Sequence, residues 1–180
     1  MAPSTSDVAV EDSFVDMLAA GFDAGIRYEE RLEQDMIAVP IGPRTQRFAA
    51  AASPAYLDRH GRPGHPGELL QHACLAGYFA SGASVPWEFS RGGETVRVDP
   101  QGPLRVRLGA GADLAVASAV AGAGIVCLFE DWLAPYFERG QLEPVLAPWW
   151  PSFSGPFLYY PGRRLVPAPL RAFIDFIRAG

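Results

Sequence analysis

The sequence predicts an α/β fold with largely parallel sheets, on three observations. Short apolar runs alternate with helical patterns along the chain. The 180 residues are 49% apolar and only 19% charged, enough to bury a core. Turn residues punctuate the junctions, as at Gly42-Pro43, Gly61, Gly92-Gly93, Gly122 and Gly140.

Taken in order, Val8 to Val10 reads as a strand. From Ser13 a helix is expected, with Phe14, Val15, Leu18, Ala19 and Phe22 on one face. Ser13 caps it with Asp16 in the capping-box position, and Gly21 stands where a left-handed stop belongs. Ala24 to Ile26 is small and apolar, as a strand covered on both faces requires. Arg27 and Tyr28 follow at its carboxyl end, where open α/β sheets bind ligands. Met36 to Ile41 and Phe48 to Ala52 are further strands. Ser53 then caps a helix that has Pro54 at its first position and Gly61 at its end.

Pro63 to Pro66 reads as a turn, Gly67 to His72 as a short helix and Cys74 to Ala76 as a brief strand. Tyr78 to Pro86 is a loop rich in Gly, Ser and Ala. Trp87 to Val98 is a hairpin turning at Gly92-Gly93. Leu104 to Leu108 alternates like a strand, and Ala112 to Ala121 is a small-residue helix stopped by Gly122. Ile125 to Phe129 is a buried strand, followed by a helix from Asp131 to Glu138 and an extended Leu142 to Leu146. Phe157 to Tyr160 is the last strand. Pro169 opens a final helix whose Leu170, Phe173, Ile174 and Ile177 form an i, i+3, i+4, i+7 stripe.

Composition narrows the function. A net charge of −5 and a pI near 5.2 argue against nucleic-acid binding by this segment, since phosphate contacts need a basic face. Arg163-Arg164 is the only adjacent basic pair. Cys74 and Cys127 lie in apolar surroundings and read as buried, reduced thiols suited to the cytoplasm. No apolar run of about 18 residues signals a membrane span, and the first residues lack the features of a signal peptide. No Gly-x-Ser-x-Gly elbow occurs. His60, His65 and His72 have neither matching ligands nor a Cys-x-x-Cys, so no metal is expected. No cofactor is expected either. A dinucleotide-dependent enzyme is the rival reading. Gly109-Ala110-Gly111 follows a strand and opens a helix, and Glu130 stands about 20 residues on, as a ribose-binding acid would. Against it, Leu114 occupies the place of the third glycine.

Three stretches together carry a family resemblance. They are Ser13 to Arg27 (SFVDMLAAGFDAGIR), Ala52 to Pro63 (ASPAYLDRHGRP) and Pro161 to Ile177 (PGRRLVPAPLRAFIDFI). In order and separation they resemble the effector-binding domain of LysR-type transcriptional regulators. Trp87-Glu88-Phe89 followed by Gly92-Gly93 resembles a large subgroup with a hairpin at this point.

The resemblance implies a bilobed, type 2 periplasmic-binding-protein-like domain of two Rossmann-like lobes. Residues 1–42 and 155–180 would form the first lobe and 43–154 the second. It also implies that the first lobe is incomplete, lacking its first strand and helix, and that the family's winged helix-turn-helix is not in this chain. The expected partner is a small organic, acidic effector in a cleft between the lobes. Promoter DNA would be bound only through the absent domain, no membrane is involved, and a homodimer or homotetramer is possible in the family. The site residues so implied are Arg27 for a carboxylate, with Tyr28 beside it. Tyr78 and Phe79 would stack on a ring, and Ser81 and Ser84 would donate hydrogen bonds. Gly109 and Gly111 would offer backbone N–H groups, and Phe129 would line the wall. A stand-alone solute-binding module and a non-functional fragment are the alternatives, and no catalysis is expected.

Overall fold

The computed structural model describes residues 9, 19–28, 35–109, 111–162 and 165–179. The expected Val8 to Val10 strand, the body of the Ser13 helix and the Arg163-Arg164 pair lie largely or wholly outside them. The chain divides into two compact units, Met1–Thr45 with Ser154–Gly180, and Gln46–Phe153.

In the first unit, strands β1 (Gly25–Arg27), β2 (Met36–Pro40) and β11 (Phe157–Pro161) form a sheet in the order β1-β11-β2. Both pairings are antiparallel, which corrects the expectation of parallel strands here. The central strand β11 enters this unit from the other one, so nothing obliges it to run parallel to its neighbours. One face carries Val39, Leu158 and Tyr160, and α4 (Ala168–Ala179) lays Ile174 on it with Leu170 and Ile177 at the margin. The expected stripe is therefore used, except that Phe173 is 46% exposed. Gly21 takes the left-handed conformation expected of a helix stop, with φ +82°. The expectation that β1 is covered on both faces fails: Ile26 is 54% exposed. Among the described strands β1 pairs only with β11, so it is an edge, and edge residues escape burial.

The second unit is larger. Strand β3 (Thr45–Ala52) pairs antiparallel with β8 (Val126–Phe129) and with β9 (Glu143–Val145), and β10 (Ser152–Ser154) also joins it. Beyond β8, a parallel bridge at Cys74 and Ile125 leads to β4 (Leu75–Tyr78), which pairs parallel with β7 (Leu104–Arg107). The expected parallel arrangement thus holds for β8, β4 and β7 and fails for β3. Helices α2 (Ala112–Val120) and α3 (Glu130–Glu138) pack beside these strands. The hairpin of β5 (Trp87–Arg91) and β6 (Glu94–Val98) turns through Gly92 and Gly93, both at positive φ.

Ala49, Ala50, Ala51 and Ala52 have no exposed surface, because this strand has partners at both edges and side chains packed on both faces. Ser53 caps α1 (Pro54–His60) by accepting the Tyr56 N–H at 3.3 Å, as its position predicts. The expected Gly67 helix is instead a 3-10 helix over Pro66–Gln71. His65 caps it, its Nδ1 accepting the Gly67 N–H.

Tyr56 is almost wholly buried, and its hydroxyl accepts the Ala73 N–H at 2.9 Å just before β4. Its own hydrogen is then left for Nδ1 of His72, 3.2 Å away. That bond needs a neutral His72. Burial lowers the His72 pKa, the nearby His60 lowers it further, and Glu68 opposes both. The folded state therefore resists protonation more than the unfolded chain does. His72 stabilises the fold above its ordinary pKa of about 6.5, and that contribution is lost as pH falls through the folded value. Thermal unfolding between about pH 7.5 and 5 is expected to show a falling Tm, with a shallower fall in His72→Asn, which keeps an acceptor but does not titrate. Tyr56→Phe orphans the Ala73 N–H and is expected to cost about 1–3 kcal/mol in urea unfolding.

Candidate ligand-binding site

The parallel strands of the second unit place their carboxyl ends at one level. Pairing sets Tyr78 of β4 beside Arg107 of β7, and the Cys74–Ile125 bridge brings the end of β8 alongside. Phe129 at that end pairs with Phe48 of β3. The Tyr78 loop, the Gly109 turn and the start of α3 therefore all leave the same sheet end, the usual site of ligand loops in α/β sheets. The sheet thus brings Tyr78, Phe79, Ser81, Ser84, Gly109, Gly111 and Phe129 to one end of the unit. Arg27 and Tyr28 belong to the first unit, at the carboxyl end of β1, with Arg27 in register with Phe157. Burial raises the Tyr28 phenol pKa, and the Tyr28 carbonyl accepts the Ser154 hydroxyl at 3.4 Å.

The Tyr78 loop is an ordered turn. Phe79 N–H donates to the Ala83 carbonyl at 2.9 Å, and Gly82 N–H donates back to Phe79 at 2.8 Å. Ser81 Oγ accepts the Ala83 N–H at 3.4 Å. Arg105, exposed on β7, donates to the Gly82 carbonyl at 3.2 Å and to Ser84 Oγ at 3.3 Å. Its guanidinium also lies 5.4 Å from the Tyr78 ring centre. Both serine oxygens are thus engaged locally, yet each hydroxyl keeps its own hydrogen to donate. Sequence reasoning missed Arg105. The only available signal was its place in the alternating Leu104-Arg105-Val106-Arg107 run, which does not say what lies beside it.

Gly109 has φ +84°, a conformation that favours glycine. Gly111 is glycine for another reason. A Cβ there would meet Val106 Cβ at 2.5 Å and the Arg107 carbonyl at 3.1 Å. Close packing of the α2 start on β7 accounts for Gly111 without any anion. Glu130, the acid of the dinucleotide reading, is held bidentately by Arg47, at 2.8 Å from Nε and 2.9 Å from Nη2. This carboxylate thus already has a structural partner within the unit. The same guanidinium lies 5.1 Å from the Trp150 ring centre.

Phe129 is half-buried in an aromatic cluster. It stacks on Phe48 at 4.8 Å and meets Trp132 edge-on at 5.1 Å, while Phe153 lies 5.0 Å from Phe48. Trp132 is 52% exposed, so the cluster reaches solvent. Phe48 and Phe153 could not be grouped with Phe129 from sequence, because the β10-β3-β8 order and the β3–β8 register bring them together.

Cys74 and Cys127 are free thiols, and burial pushes both to about 12. Among the described residues no group of three or more His, Cys, Asp or Glu is placed to hold a metal ion. His60 packs on Tyr56 instead, and His65 lies 3.7 Å from Glu94. No helix among the described residues is long and apolar enough to cross a membrane.

Comparison with known proteins adds an independent observation. Residues 6–180 match the LysR substrate binding domain family. The HTH-type transcriptional regulator YcaN of Escherichia coli is 34% identical over 174 residues, covering 97% of this chain and 55% of that protein. A putative transcriptional regulator of Pseudomonas aeruginosa is 39% identical over 166 residues, covering 92% of this chain and 53% of that protein. The chain spans about half the length of these curated relatives. The full-length structure of the Vibrio cholerae virulence activator AphB, of the LTTR family, superposes with a TM-score of 0.77 at 26% identity, covering 96% of this chain and 56% of that one. The regulatory domain of CrgA from Neisseria meningitidis shares the fold, with a TM-score of 0.67 at 24% identity over 93% of this chain and 79% of that one.

Two measurements test these packing roles. Gly111→Ala is expected to lower the stability of the ligand-free protein by about 1–3 kcal/mol in urea unfolding, through overpacking against Val106. A double-mutant cycle of Arg47→Met and Glu130→Gln is expected to give a coupling of about 0.5–1 kcal/mol that shrinks with salt, because both side chains are over a third exposed.

Proposed function

We propose a sensing function for this chain, which belongs to the LysR family of transcriptional regulators and has the type 2 periplasmic-binding-protein-like fold of their regulatory domains. In this reading it binds a small organic acid and catalyses nothing. One observation carries the reading. The match to the LysR substrate binding domain runs from residue 6 to 180, and within it the Tyr78 loop, the Gly109 turn and Phe129 share one end of a sheet. Tyr78, Phe79 and Phe129 would supply apolar contact and Ser81 and Ser84 hydrogen bonds. Gly109 and Gly111 would supply backbone at close approach. Arg27, with Tyr28 beside it, would supply the guanidinium fork for a carboxylate.

In a full-length regulator, such a ligand would act by differential affinity for two arrangements of the regulatory region, altering how attached DNA-binding domains sit on DNA. A cytoplasmic location and dimer formation belong to the same proposal. With a net charge of −5, this chain itself is expected to leave promoter DNA unshifted in a gel assay.

A thermal-shift screen of aromatic and aliphatic carboxylates tests the reading. A true effector at about 100 times its Kd stabilises by about 2.7 kcal/mol, and the shift is expected to vanish in Arg27→Gln and to weaken in Ser84→Ala. A broad acid screen that gives neither a shift nor calorimetric heat defeats the proposal.

A further inference from the structure

We infer that the first unit carries a second acid site of its own, a linear groove that takes a medium-chain aliphatic carboxylate. The groove has a volume of about 510 Å³, and the described residues that line it all belong to that unit. Its size falls within the range of small-molecule sites. Met36, Ala38 and Pro40 alternate along β2 and so point to one face of the sheet. That face is opposite the one covered by α4, since Val39 lies between them in the core cluster. Phe157 pairs with Pro40 and extends the apolar bed onto β11.

Four residue steps along a strand make this bed about 13 Å long, suited to an extended chain rather than a compact ring. Arg44 stands at one end, exposed and engaged in no ion pair among the described residues. Among the described lining residues it is the one that carries a charge, and its guanidinium is complementary to a carboxylate at the head of such a chain.

The Arg44 end of the groove is fixed in place. Gly155 N–H donates to the Arg44 carbonyl at 2.9 Å, and Ile41 N–H donates to Pro156 at 2.9 Å. Gly155 has no room for a Cβ, which would collide with the Pro43 carbonyl. The site thus combines a rigid backbone, an apolar bed and a single cation at one end. It does not depend on the effector reading above, because none of the residues assigned to the effector lines it.

Calorimetry on the 180-residue chain with sodium octanoate and 1-octanol tests the inference. Octanoate is expected to bind at least tenfold more tightly than octanol. Arg44→Gln is expected to weaken octanoate about tenfold and leave octanol unchanged, while Arg44→Lys restores part of the loss. Ala38→Phe, a good strand residue, is expected to block both. Should it fail to fold, the exposed Arg44→Gln decides alone. Ser84→Ala, in the other unit, is expected to leave octanoate binding intact. Absence of octanoate binding, indifference to Arg44→Gln, equal binding of octanol, or loss in Ser84→Ala would each overturn the site.

Discussion

The backbone of Ala49 to Ala52 has neighbours on every side. Strand β8 takes one edge of β3, and β9 shares residues Ala50 to Ala52. Both faces are sealed, so each of the four side chains has no exposed surface. Packing this close tolerates only a methyl group, and any larger residue would push elements apart at a cost of about 1–3 kcal/mol. The rest of the unit follows from that strand. Its Phe48 fixes the register of Phe129, and its Arg47 takes hold of Glu130 at the start of α3. The bridge beyond β8 then sets the level of β4 and β7.

That register makes one sheet end different from the other. The carboxyl ends of β4, β7 and β8 emerge together, and each is followed by a loop or a helix start. Two kinds of interaction stiffen this end. Arg105 ties the Tyr78 loop to β7 through Gly82 and Ser84, and the Phe48, Phe129, Phe153 and Trp132 rings pack around the end of β8. A loop held in this way would lose less entropy in any binding event than a free one.

The polar residues divide by burial. The Arg62 network with Asp58 and Glu143 is short, at 2.6 to 3.0 Å, and holds the Glu143 carboxyl below its usual pKa. It is exposed, so solvent and salt screen it and it adds little to stability. The Tyr56 hydroxyl is a single neutral group, yet it counts for more, because it lies in the core and the half-buried Ala73 N–H donates to it.

The order of most described elements, the Ser53 and Gly61 caps of α1, the Gly92-Gly93 turn and the small-residue strand over Ala49 to Ala52 were legible in the sequence, whereas the short strand β10 was not. Each rests on local chemistry: a capping oxygen, a positive φ or a missing side chain. The family was legible too, because three motifs in order identify it. The direction of strand pairing was not, since periodicity is the same for parallel and antiparallel neighbours. Nor was the exposure of Ile26, which depends on β1 lying at an edge of the described sheet. Candidate residues such as Tyr78 and Phe129 could be named from their places at strand ends. Their neighbours Arg105 and Phe48 could not, because register, which no single strand encodes, decides who stands beside whom. The chain alone thus determined where most of the described strands and helices fall and which family they compose. Only the tertiary structure decided which side chains meet, because those meetings join residues as far apart as Arg47 and Glu130, and nothing local to either position records them.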